Sequence, residues 1–153
     1  MANGDITIVI SRTLVHDIEV HGEETFPEEC CGALIGTRLN RNRHVQKLMP
    51  LHNVQDVNRE RRFLIAPDQY LEAEKTARSE NLDLLGFYHS HPNHPARPSE
   101  FDREHALPWF ATIIVSVMAG KSGEMTAWEL SEDRARFLEV AIQQEDVRTR
   151  VEP

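Results

Sequence analysis

The stretch ATIIVSVM, residues 111–118, limits the fold more than any other part of the chain. It is the most continuous run of β-branched and apolar residues, with only Thr112 and Ser116 carrying a hydroxyl. A strand of that kind needs both faces covered, so it reads as a central strand of a layered sheet. The rest of the chain offers matching pieces. DITIVIS (5–11), CCGALIGT (30–37), RHVQKLMPL (43–51) and LDLLGFYHSH (82–91) read as further strands, and GEMTAWEL (123–130) as the last strand after a turn at Gly120–Gly123. SRTLVHDIEVHGEE (11–24) places Leu14, Ile18 and Val20 near one helical face, with Ser11 as N-cap, and Pro27 breaks the pattern. Residues 61–82 read as a strand followed by a helix. Pro67 sits near the helix start, where its missing N–H costs little, Tyr70, Leu71, Glu74 and Ala77 fit its turns, and residues 79–81 end it. Residues 98–109 read as a short helix. Residues 131–144 carry helical spacing at Ala135, Phe137, Leu138 and Ala141, and 145–153 are expected to fray.

Strands alternating with helices, without repeat or linker, imply one α/β (α+β) domain over residues 1–144 of the 153. That length can bury most of a core without disulfides or metal staples. The formal net charge of −8 argues against a nucleic-acid or membrane-surface partner, while NRERR (58–62) leaves a local basic patch. No apolar run is long enough to span a membrane, and MANGDITIVISR lacks the pattern of a secretory signal. Cys30 and Cys31 are adjacent, and a bond between them would close no loop, so a reducing, cytoplasmic setting is expected.

Chemistry concentrates in GFYHSHPNHPARPSEFDREHA (86–106). His89 and His91 stand two apart on a strand, so both rings point to one face. Burying such a pair is costly unless something satisfies it, and zinc would. A catalytic zinc site takes three protein ligands and a water, so a third ligand is required. Asp102 is the leading candidate, brought back by the turn PNHPARP; His94 and His105 are rivals. Hydrolysis also needs a general base, and Glu28 and Glu29 stand directly before the strand CCGALIG.

Each piece has a plainer reading. Many His-x-His pairs are surface histidines. Ser99 followed by Asp102 resembles a helix capping box, which would still fix the direction of the Asp102 side chain. Paired glutamates usually mark a solvated turn. The cysteines read as small buried residues whose side chains point to opposite faces of a strand. His16, His21, His44 and His52 are isolated and read as structural or surface residues.

Taken together, the residues resemble the JAMM (MPN-plus) metallopeptidase family. HSHP at 89–92, seven residues over 92–98 and SEFD at 99–102 match its spaced motif, and PEECCGALIG (27–36) is similar to its upstream Glu element. FLIAPDQYLEAEKTA and Ser116 add weaker matches, and the likeness covers roughly residues 5–130. No fixed position departs, which argues against the inactive MPN-minus branch. The resemblance implies a curved, mixed, cytidine-deaminase-like sheet flanked by helices. It selects Glu29 over Glu28 as the base that takes a proton from the attacking water and delivers it to the leaving amine. It implies Zn²⁺ held by His89, His91 and Asp102, with Ser99 donating to the oxyanion and Ser90 orienting the loop rather than reacting.

The compact chain resembles the stand-alone bacterial branch. That likeness implies a peptidase or isopeptidase cutting after the C-terminal Gly-Gly of a ubiquitin-like or ThiS/MoaD-type sulfur carrier. The substrate tail would add as an extended strand beside the site, and a homodimer fits the family. Two other classes compete: a non-catalytic MPN scaffold, and a zinc hydrolase of a small amide or cell-wall peptide.

Overall fold

The computed structural model describes residues 5–55, 58–59 and 64–145. Seven strands and three helices follow one another as β1 (Thr7–Ser11), α1 (Arg12–Thr25), β2 (Cys31–Leu39), β3 (Asn42–Leu51), α2 (Pro67–Ser79), β4 (Asp83–Pro92), α3 (Glu100–His105), β5 (Ala111–Met118), β6 (Lys121–Leu130) and β7 (Phe137–Glu145). The strands lie in the order β1-β3-β2-β4-β5-β6-β7, and β7 pairs with β1, so the curved mixed sheet closes on itself. β4 runs antiparallel to β2 and parallel to β5. The run at 111–118 is therefore interior, paired on both sides.

α1 covers one face of the sheet and α2 the other. Ser11 caps α1 by accepting from the Leu14 N–H at 3.2 Å. The stripe α1 buries is Val15, Ile18 and Gly22; Leu14 and Val20 are only half-buried. Gly22 belongs to that stripe because the helix sits so close to β5 that a Cβ there would lie 3.1 Å from Val117. α2 starts at Pro67 as expected and buries Ala73 and Ala77.

β4 is buried from Leu84 to Pro92, and its side chains divide between the layers. Leu85 and Tyr88 join the core under α1, Leu84 and Phe87 the core under α2. At Gly86 a Cβ would lie 1.9 Å from the Ala111 carbonyl oxygen, so only glycine lets β5 approach there.

Three expectations fail. Residues 131–144 do not form a helix, and 123–130 is not the last strand: Phe137–Glu145 is β7, antiparallel to β6 and parallel to β1. The backbone pairing of two open edges outweighs the helical spacing. Within FLEVAIQQ the informative pattern is the alternation Leu138, Val140, Ile142; Val140 is core and Ile142 packs against it. Ser131 and Asp133 side chains organise the turn before it, with Arg134 at φ 63°. The strand expected ahead of α2 is absent at Leu64–Ala66. There the Leu64 N–H donates to Asn53 Oδ1 and its carbonyl accepts from Val54, so the segment bonds to a loop. Residues 60–63 and the tail from 146 lie outside the described residues.

Candidate active site

The C-terminal end of β4 and the N-terminal end of β2 meet through Ser90. Its N–H donates to the Cys30 carbonyl at 3.2 Å, and its hydroxyl accepts from the Cys30 N–H at 2.8 Å. These two bonds pin Cys30 at the start of β2, and Glu29 lies one residue upstream of it. Glu29 is 2 % exposed, whereas Glu28 is exposed. The Glu29 backbone is held from a third direction. Its N–H donates to the Arg59 carbonyl at 2.7 Å, and its carbonyl accepts from Asn53 Nδ2 at 3.3 Å. Asn53 also accepts from the Gln55 and Leu64 N–H groups, both at 3.0 Å. Sequence reasoning missed Asn53; the only hint was a lone amide two residues beyond the strand RHVQKLMPL.

His89 and His91 project to one side of β4, with ring centroids 5.0 Å apart. The turn after them is bolted down. Ser116 on β5 donates to the His94 carbonyl at 2.6 Å, and Thr126 on β6 donates to the Ala96 carbonyl at 2.6 Å. Trp128 Nε1 donates in turn to the Thr126 hydroxyl at 2.7 Å. Thr126 carried no signal in the sequence, because its partner lies thirty residues upstream. The anchored turn delivers Ser99 and α3. The Ser99 hydroxyl accepts from the Asp102 N–H at 3.0 Å, and Asp102 Oδ2 accepts from the Ser99 N–H at 2.8 Å. This is the capping box, and it points the buried Asp102 carboxylate at the two rings. Asp102 Oδ2 is 3.2 Å from His91 Nε2, and Oδ1 is 3.8 Å from His89 Nε2. Glu29 Oε1 lies 3.5 Å from His89 Nδ1.

The donor set fits a divalent cation. His91 Nδ1 lies 2.9 Å from the Pro95 carbonyl, which can only accept. Nδ1 therefore carries the hydrogen, and Nε2 of the neutral ring presents a lone pair to Asp102. A lone pair facing a carboxylate at that range is repulsive unless a proton or a metal cation lies between them. Glu29, His89 and His91 each offer a ligand atom within 4.8 Å of one another. Buried Glu29 Oε1 accepts no hydrogen bond among the described residues, the open valence that a buried carboxylate does not normally keep. Burial alone would raise the Asp102 carboxyl. His89, His91 and the Ser99 N–H outweigh it and hold the group well below the usual carboxylate range. Burial would lower the His91 imidazole, and Asp102 and Glu29 reverse this to a net rise.

The remaining candidates stay apart. His94 and His105 are exposed; His105 Nδ1 bonds the Phe101 carbonyl at 2.9 Å and its ring stacks on Phe101. Cys30 packs under α1 and Cys31 under α2, on opposite faces, and the Cys31 thiol is directed at the Leu51 carbonyl. Burial pushes the Cys30 thiol up to about 11 and the Cys31 thiol up to about 12, so both stay protonated and weakly nucleophilic at neutral pH. His21 bonds the Tyr88 hydroxyl at 2.7 Å and ties α1 to β4.

Among the described residues, two cavities reach the cluster, with Phe101 in the wall of each. One, of about 170 Å³, is apolar; Tyr70, Phe87, Phe110 and Phe137 line it, and it ends on His89 and Asp102. The other, of about 530 Å³, is reached by the side chains of Glu29, His91, His94, Arg97, Ser99 and Glu100.

A family model of prokaryotic homologs of the JAB domain matches residues 11–131. The chain is 33 % identical over 120 residues to a desampylase of Haloferax volcanii, covering 76 % of this chain and 80 % of that protein. It is 33 % identical over 110 residues to a "Probable TtuB-protein conjugate cleaving protease" of Thermus thermophilus, covering 72 % of this chain and 70 % of that protein. A solution structure of a Desulfitobacterium hafniense protein superposes with a TM-score of 0.80 at 28 % identity, over 91 % of this chain and 93 % of the other.

Proposed function

The chain belongs to the prokaryotic JAB-domain family, and from that premise we propose that it is a zinc-dependent isopeptidase. Its substrate is the amide bond after the C-terminal Gly-Gly of a ubiquitin-like carrier of the sulfur-carrier kind. The hydrolase class and the conjugate substrate are supported by the similar desampylase and TtuB-conjugate protease. The observation that carries the reading is the buried Glu29–His89–His91–Asp102 cluster at the meeting of two cavities.

His89, His91 and Asp102 would hold the zinc ion. When bound, zinc lowers the pKa of a water toward neutrality and polarises the scissile carbonyl. Glu29 takes the proton of the attacking water. It suits that role because its Oε1 is buried and unoccupied by any hydrogen bond among the described residues. The same carboxyl then hands the proton to the leaving amine. Ser99 stabilises the oxyanion that develops on the carbonyl. Its oxygen already accepts from the Asp102 N–H, so its own hydrogen is available to donate. Pro95 holds the His91 tautomer, and the turn anchored by Ser116 and Thr126 keeps Asp102 in place.

The test uses a carrier joined through its Gly-Gly terminus to a lysine of a second protein. Zinc-loaded wild type releases the carrier, and Glu29→Gln keeps its zinc but releases none. An inert wild type, or full activity in Glu29→Gln, would remove the assignment.

A further inference from the structure

Asp102 is the one proposed zinc ligand that does not come from the sheet. It stands on α3, a helix of six residues, and α3 buries Asp102 alone. A helix of that length is marginal by itself, so contacts from outside must set its direction. The capping box with Ser99 fixes its first turn. It leaves the last turn unheld, and the C-terminal carbonyls of any helix lack partners within it.

The turn between β6 and β7 supplies the second hold. Arg103 Nη1 donates to the Arg134 carbonyl at 2.8 Å, and Arg134 Nη2 donates back to the Glu104 carbonyl at 3.3 Å. Each arginine therefore grips the segment of the other. The dipole of α3 also favours a cation at this end. Arg103 Nε and Nη2 donate to the Glu100 carboxylate, so its guanidinium is held from two sides.

The turn keeps arginine where glycine would be less strained. Arg134 sits at φ 63°, in the left-handed region. Asp133 Oδ1 accepts from the Ser131 hydroxyl at 2.7 Å and from the Ala135 N–H at 2.9 Å, which fixes the turn around it. Local strain held in place by its surroundings is a mark of function, and here only the side chain of Arg134 distinguishes it from glycine. Just beyond, Phe137 packs against the cluster of Ala96, Ile114 and Trp128 and lines the apolar cavity beside Phe101 and Asp102. The turn lies past residue 131, where the family match ends, so that likeness gives it no role.

We propose that Arg103 and Arg134 form a clasp that positions the third zinc ligand. The clasp holds α3 by its last turn and keeps the Asp102 carboxylate aimed at His89 and His91. Both arginines are positioning residues that act through Asp102. The inference rests on the metal reading of the site for its effect on zinc.

The test uses Arg134→Gly and Arg103→Ala, each removing one donor of the clasp. Glycine suits φ 63°, so metal-free Arg134→Gly should keep the wild-type denaturant midpoint. Chelator competition should show zinc bound about tenfold more weakly in each variant, the low end for contacts that orient a metal ligand. In an Asp102→Asn background the same substitutions should change zinc affinity by less than about twofold, because the group they act through is gone. In metal-free protein the Asp102 and Arg103 N–H groups, both bonded to Ser99, should exchange about tenfold faster, while the amides of β4 and β5 keep their protection. Unchanged zinc affinity in both variants, or α3 exchange that stays at the wild-type rate, overturns the proposal. A weakening of zinc binding that is equally large in the Asp102→Asn background also overturns it, since the arginines would then not act through Asp102. Wild-type protein that binds no zinc removes the metal reading instead, and faster α3 exchange in the variants then leaves the clasp standing as the hold on Asp102.

Discussion

The side-chain amide of Asn53 donates to the backbone carbonyl of Glu29 across 3.3 Å, joining the loop after β3 to the proposed base. Asn53 is itself held by two backbone N–H groups, so it is a rigid strut rather than a passing contact. Asn53→Ala strands buried polar groups, each costing about 1–3 kcal/mol. The expected result is a lowered melting temperature together with a fall in turnover while zinc content stays at the wild-type level. Unchanged kcat in a correctly folded Asn53→Ala protein would show that the strut does not position Glu29.

Zinc should stabilise the folded chain. With free zinc at about 1,000 times its Kd, mass action adds roughly 4 kcal/mol. Asp102→Asn keeps an oxygen for the capping bond from Ser99 but loses the negative charge, so most of the zinc-dependent shift in melting temperature should vanish. His105→Ala should keep it, because that ring is exposed and bonded to the Phe101 carbonyl. The reverse pattern in a melting titration would assign the third ligand to His105.

Two glycines on the same sheet should differ sharply. A Cβ at Gly86 would meet the Ala111 carbonyl oxygen at 1.9 Å, and backbone paired in a sheet cannot step aside. Gly86→Ala is expected to cost about 3 kcal/mol or more. At Gly123 nothing lies within 4 Å, so Gly123→Ala should stay within about 0.5 kcal/mol. Denaturant midpoints of the two variants measure the contrast, and equal midpoints would contradict the close β4–β5 approach.

Burial lowers the His21 imidazole below its usual 6.5, with Glu24 offsetting part of the effect. The unfolded chain therefore binds this proton at a higher pH than the folded one. The contribution of His21 is complete above about 6.5 and is lost as the pH falls through the lower folded value. His21→Gln retains a partner for the Tyr88 hydroxyl and should show a shallower loss of melting temperature between neutral and mildly acidic pH. Parallel pH profiles for the two proteins would mean that His21 does not supply this dependence.

What the chain revealed by itself was what short-range geometry encodes. The two-residue period of a strand puts His89 and His91 on one side, the three-residue reach of a capping serine aims Asp102, and Ser11 and Pro67 mark helix starts. The choice of Glu29 over Glu28 came from family resemblance, and their local chemistry is the same. The structure separates them by burial, because Ser90 pins the neighbouring Cys30 and Asn53 holds the Glu29 carbonyl from positions far along the sequence.

Tertiary structure alone decided the closure of the sheet, the anchors of the turn and the division into two cavities. Residues 137–145 became β7 because β6 and β1 both offered unpaired backbone, a demand arising at a distance that overrode local helical spacing. Thr126 reaches the Ala96 carbonyl across thirty positions, and Arg97 meets the Glu29 cavity only after that turn is bolted down. No period or capping rule spans such separations. They follow from which strands pair and from the need of each buried polar group for a partner.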